Sequence, residues 1–134
     1  MSHFEFDIHT HTIASGHGSA ATITDMVKTA RTQHLNMLGI SDHGPATLGG
    51  GKSAYFRNLT YAPKNRMGIR MLYGAEVSIL DNHGKLDRED EILKHLDYVI
   101  ASLHRPAKRP GSKEENTRSY IEAMKNPYVR IIGH

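Results

Sequence analysis

Ten of the 134 residues are histidine and none is cysteine, so metal chemistry in this chain has to rest on nitrogen and oxygen ligands. His9 and His11 sit two apart in a stretch that alternates polar with apolar residues. On a strand that spacing turns both imidazoles to one face, where they can grip one cation. Asp7 falls on the same alternation and could orient a ligated ring by hydrogen bond, although alone it fits a solvated carboxylate equally well. His17 lies in a loop between Gly16 and Gly18, which let the backbone bend inward. Asp42 and His43 leave a short apolar run directly into Gly44-Pro45, a sharp exit that presents side chains at a sheet rim. Glu76 is embedded in Tyr73-Gly74-Ala75-Glu76-Val77, where a carboxylate is expensive unless it is paired or bound to a cation. His104 and His134 each follow an apolar run and obey the same logic, with a smaller penalty because neutral imidazole is cheaper to bury. Taken singly, a paired or loop histidine is as readily a surface residue as a ligand.

The elements that must position these groups are legible from periodicity. Residues 4–11 alternate as a strand, and 22–35 have helical spacing behind a Thr22/Asp25 capping box. Residues 36–41 read as a buried second strand, and 69–80 as a third that carries Glu76. Asp87 is placed to cap a helix running to residue 96, and 98–103 make a fourth strand. Ser112 and Glu115 open a helix carrying Tyr120, Ile121 and Met124 that Asn126-Pro127 stops, and 128–132 form the fifth strand. Residues 53–67 are poorly periodic, with one or two helical turns near 55–59. Strands alternating with helices over one domain, 1–134, indicate an α/β fold with a parallel sheet and right-handed crossovers. Each candidate ligand then lies at or near the C-terminal end of a strand, which is where barrel enzymes assemble their sites.

Four histidines are expected to take no part: His3 in the terminal segment, His34 in the last turn of a helix, His83 in a turn and His95 on a charged helix. The hydrophobic share of 38% and charged share of 23% fit a globular protein. There is no apolar span long enough for a bilayer and no signal-peptide pattern, so the expected setting is cytoplasmic, with no membrane partner. A net charge of +3 with basic residues scattered over 64–70 and 105–113 gives no stripe for nucleic acid. Lys52, Arg105 and Lys108 follow strand ends but are read as solvated.

Asp7-Ile8-His9-Thr10-His11-Thr12, His17, Asp42-His43, Gly74-Ala75-Glu76, Ser102-Leu103-His104 and Gly133-His134 together resemble the PHP (polymerase and histidinol phosphatase) family, in the family's order, and most closely its stand-alone bacterial YcdX-type phosphatase branch. The resemblance implies a distorted seven-stranded (β/α) barrel of the TIM-like kind. Its cofactors would be two or three zinc ions, with manganese or iron as alternatives. Carried over to this sequence, His9, His11 and Glu76 would hold one ion, and Glu76 would bridge to a second held by His104 and His134. His17 and His43 would hold a third, with Asp7 and Asp42 supporting. The implied reaction is hydrolysis of a phosphate ester on a small phosphorylated substrate by a metal-bridging hydroxide, without a protein nucleophile.

The family pattern continues beyond residue 134 with a further Asp and His ligand, so the chain reads as a PHP domain truncated to about its first five βα units. Open terminal strands in such a unit are expected to drive self-association. Three other readings compete: an inactive metal-binding fragment, a barrel hydrolase acting on amides or lactones, and an accessory module of the sort attached to DNA polymerases.

Overall fold

The computed structural model describes residues 4–16, 18–105 and 107–134. Its elements, in chain order, are β1 (Phe6–Thr10), α1 (Ile23–Thr32), β2 (Met37–Ile40), α2 (Ser53–Leu59), β3 (Asn65–Arg66), β4 (Ile69–Ser78), α3 (Asp90–Leu93), β5 (Tyr98–Ser102), α4 (Lys113–Ala123) and β6 (Val129–Ile132). Five strands pair in parallel in the order β1-β2-β4-β5-β6, and the two-residue β3 pairs antiparallel with β4. The parallel α/β sheet and its sequential strand order follow the expectation.

The sheet is curled into a half-barrel. Although β1 and β6 lie at opposite ends of the strand order, the rings of His9 on β1 and His134 just beyond β6 stack with centroids 6.0 Å apart. Tyr98 on β5 spans the concave face, and its hydroxyl donates to the Ile8 carbonyl of β1 at 2.8 Å. The ring passes over Gly74 of β4 and Gly39 of β2, where any side chain would overlap it. Burial pushes the Tyr98 phenol well above its ordinary pKa, so it remains a donor.

The convex face carries the apolar core. Leu38, Ile40, Met71, Tyr73, Ala75, Val77, Val99 and Ala101 alternate outward from the strands and pack on residues of the helices. Val27 and Ala30 come from α1, Phe56 and Leu59 from α2, Ile92 and Leu93 from α3, and Ala123 from α4. Each fully buried aliphatic or aromatic side chain is worth about 1.5–3 kcal/mol. That face can therefore offset the several kcal/mol that one buried carboxylate costs on the other.

Local signals fixed the two longer helices. Thr22 Oγ1 accepts from the Asp25 amide at 3.2 Å while the Asp25 carboxylate accepts from the Thr22 amide at 3.0 Å. Ser112 and Glu115 repeat the motif at the start of α4, at 3.2 and 2.7 Å. Other expectations are corrected. Strand one is confined to Phe6–Thr10, and Phe4 and Phe6 are exposed at its open edge. The first helix ends at Thr32, and His34 lies beyond it with φ 59, not in its last turn. The helix expected over 87–96 shrinks to α3, because Asp87 caps nothing there: its carboxylate accepts from the Ala46 and Ser78 amides at 3.0 Å each. Ile121 and Met124 of the last helical segment face outward, while Ser119 and Ala123 are buried. Hairpin strand β3 had no periodic signal because two residues cannot establish one.

Asp87 thus ties the loop after β2 to the end of β4. Replacing it by alanine leaves two amides without their acceptor and should cost about 2 kcal/mol in urea unfolding. The loss for Ser112→Ala should be about 1 kcal/mol.

Candidate metal centre

The concave rim at the C-terminal strand ends collects the predicted ligands around one carboxylate. Glu76, near the end of β4, is fully buried. His9 on β1 places Nε2 3.0 Å from its Oε2, and His11, one residue past Thr10, places Nε2 3.2 Å from the same oxygen. A register shift between Asp7 and Thr10 makes this possible: Asp7 pairs with outward-facing Leu38, while both histidines point inward. His43 continues the path of β2 in parallel register with Glu76 and brings Nδ1 to 3.2 Å of Oε2. On the other side of the carboxylate, His104 and His134 follow β5 and β6 and set Nε2 3.2 and 3.3 Å from Oε1.

Gly133 is required for the last of these. A Cβ there would overlap the Ser102 hydroxyl of β5, and with it the chain could not pass close enough to seat His134. The Tyr120 hydroxyl of α4 donates to the His134 carbonyl at 2.6 Å and accepts from the Leu103 amide at 3.3 Å, clamping the ends of β5 and β6 together.

Among the described residues, two sets of three groups bring ligand atoms within 4.8 Å of one another: His9, Glu76 and His134, and His11, His43 and Glu76. This partition differs from the one the family resemblance implies, in which His9 and His11 share an ion. His104 joins from the side, its ring edge-on to that of His43 at 4.7 Å. His17 lies outside the described residues. All the described candidate histidines, together with Glu76, therefore meet at one place.

Asp42 and Asp7 diverge. Asp42 is fully buried beneath the cluster and accepts from the Thr12 amide at 2.6 Å, the Thr12 hydroxyl at 2.8 Å and the Ser15 hydroxyl at 2.7 Å, and also from the Tyr55 hydroxyl. Burial and the adjoining Asp42 carboxylate push the Tyr55 phenol far up, which keeps it a donor. Asp7 instead accepts from the His9 amide at 3.1 Å and lines a hollow with Met26 and Ala30 of α1. No ring nitrogen donates to it among the described residues.

Burial by itself would raise the Glu76 pKa, but the hydrogen bond with His104 and the close approach of His11, Ser102 and His9 outweigh it and hold the carboxyl far below the ordinary range. The group is therefore ionised, and its Oε2 is buried with no donor in hydrogen-bond geometry among the described residues. A charged, desolvated oxygen facing several imidazole nitrogens is a donor set of the kind that divalent cations take. The residues present fit a metal.

The cluster opens into a cleft of about 720 Å³ lined by His11, His43, Thr47, Glu76, His104 and His134, with the exposed Leu48 and Arg105 at its mouth. Sequence reasoning missed the groups beneath it. Ser15, Thr12 and Tyr55 are ordinary loop and helix residues, and only their convergence on Asp42, which was singled out, could have flagged them.

A PHP domain model matches residues 7–134. The chain belongs to the PHP-domain family. It is 47% identical over 128 residues to a protein of Clostridium botulinum (strain Langeland) named probable phosphatase, covering 96% of this chain and 52% of that one. It is 44% identical over 131 residues to a probable phosphatase of Clostridium novyi, with 98% and 53% covered. A third, from Caldanaerobacter subterraneus subsp. tengcongensis, is 46% identical over 129 residues, with 96% and 50% covered. This PHP chain thus spans about half the length of the curated relatives it matches.

Glu76 is common to both triads of the PHP site, so Glu76→Gln is expected to abolish metal uptake. In the wild type, free Zn²⁺ at about 100 times its Kd should stabilise the fold by about 2.7 kcal/mol. That gain should vanish in the variant, as read from thermal unfolding with and without the ion.

Proposed function

We propose that this PHP domain is a metal-dependent phosphoesterase acting on a small phosphorylated substrate. The observation that carries the reading is the buried, ionised Glu76 with five imidazole nitrogens at 3.0–3.3 Å. The names of its relatives support the reaction class, and the order of the site motifs favours the YcdX-type branch. The site is proposed to be multinuclear, taking two or three ions, with zinc as the first expectation and manganese or iron as alternatives. His9, His11 and Glu76 would hold one, Glu76 with His104 and His134 another, and His43 with His17 a third. Bound cations supply Lewis acidity that activates water near neutral pH and neutralises charge on phosphoryl oxygens.

The chain's own contribution is placement. Glu76 holds the fixed negative charge between the two sides of the cluster, the five imidazoles converge on it from the ends of four strands, and the cleft admits the ester from one direction. Arg105 at the mouth is the cation best placed to meet a phosphoryl group as it enters. The reaction proposed uses no protein nucleophile, in keeping with the lack of cysteine. No helix among the described residues is long and apolar enough to cross a membrane, and a cytoplasmic setting is part of the proposal. So is a single domain that forms part of a seven-stranded barrel.

Hydrolysis of an aryl phosphate by the protein loaded with Zn²⁺ or Mn²⁺ tests the reaction. Turnover should appear with metal, disappear on chelation, and be absent in Glu76→Gln. A chain with full metal content and no turnover would leave metal binding standing and overturn the phosphoesterase reading.

Self-association belongs to the same proposal. Phe4 and Phe6 are 57% and 53% exposed beside the unpaired edge of β1, and Ile132 is 38% exposed on β6, the opposite edge. Sedimentation at micromolar concentration should show dimers or larger species, and Phe6→Lys should shift them toward monomer. A monomeric wild type would refute it.

A further inference from the structure

The Ser15 hydroxyl occupies a point where three groups of the cluster meet. It donates to Asp42 Oδ1 at 2.7 Å, it accepts from the His43 amide at 3.1 Å, and its oxygen lies 3.1 Å from His11 Nδ1. Ser15 is fully buried, at the end of the short 3-10 turn Ile13–Ser15 whose entry is capped by Thr12. A hydroxyl has one proton and two lone pairs. The hydrogen bond to Asp42 commits the proton of Ser15 to that carboxylate. The contact with His11 is then a hydrogen bond only if the ring donates, which places the His11 proton on Nδ1, away from Glu76, and leaves the Nε2 lone pair facing Glu76 Oε2 across 3.2 Å, the gap that a cation would bridge.

We propose that Ser15 is a positioning residue for the metal centre: through Asp42 it fixes His11 in the Nδ1–H tautomer and anchors the backbone of His43, preorganising both rings on the Oε2 side of Glu76. This deepens the metal reading above and rests on it. His104 and His134, assigned above to another ion on the Oε1 side of Glu76, have no contact with Ser15 among the described residues, so the effect is selective for one side of the site. Asp42 has further donors in Thr12 and Tyr55, which hold it in place independently of Ser15.

The test uses the metal-free protein first. Long-range ¹H–¹⁵N correlation of the imidazoles, at a pH where the rings are neutral, should show wild-type His11 protonated on Nδ1. In Ser15→Ala the Nε2–H form should become populated, and Ser15→Thr, which keeps the hydroxyl, should restore the wild-type pattern. Zn²⁺ titration should then show the ion held with His11 weakened by about 10–100-fold in Ser15→Ala, with the ion of His104 and His134 unaffected. A wild-type His11 carrying its proton on Nε2 would overturn the proposal even if Ser15→Ala did not fold. So would a folded Ser15→Ala with an unchanged tautomer, or with both ions weakened equally, which would mark a general loss of structure. Should the wild type bind no Zn²⁺, the metal reading of the site fails on that result alone, and the preorganising role proposed for Ser15 falls with it. The tautomer spectra would still decide whether Ser15 sets the ring.

Discussion

A carboxylate that has been taken out of water, kept ionised and surrounded by imidazoles is the constraint from which this molecule's architecture follows. Such a group is costly, and the cost has to be met by the rest of the fold. Glu76 sits on β4, the central strand of the five, so it is flanked by a parallel neighbour on each side. That central position lets rings arrive from β1 and β2 on one side and from β5 and β6 on the other. An edge strand would have permitted approach from one side only, and the carboxylate would have remained wet.

The division of labour between the two faces of the sheet follows from the same constraint. The convex face is filled by aliphatic side chains and supplies the stabilisation, leaving the concave rim free to hold polar groups that do not stabilise the fold by themselves. The connecting loops are pinned from below: Asp42 gathers the turn after β1, and Asp87 gathers the loop after β2. Arg88 adds to the second anchor, donating to the Gly51 carbonyl at 2.9 Å and to the Ser53 hydroxyl at 2.6 Å. Loops carrying ligands are thereby denied the freedom that loops usually have.

How far the sequence revealed this depended on whether the signal was local. The HxH pair, the carboxylate in an apolar run and the histidines after apolar strands are local patterns, and each candidate among the described residues arrived at the rim. Capping boxes at Thr22 and Ser112 are likewise contained within four residues, and both formed as read. Asp87 shows the opposite case. Its position before an apolar stretch looks like a helix cap, but the amides it serves are those of Ala46 and Ser78, the former 41 residues away in the chain. Asp7 shows another: simple alternation puts it on the face of His9 and His11, and the register irregularity in β1 that turns it toward α1 leaves no trace in residue type. Ser15 could not be singled out, because its role lies in which partners reach it.

The phenol of Tyr98 acts as a strut inside the curve of the sheet. By joining the fourth parallel strand to the first across the two between them, it sets how tightly the ribbon bends without reference to anything that would complete a closed cylinder. Curvature is thus written into five strands, and the spacing of the rim groups travels with it.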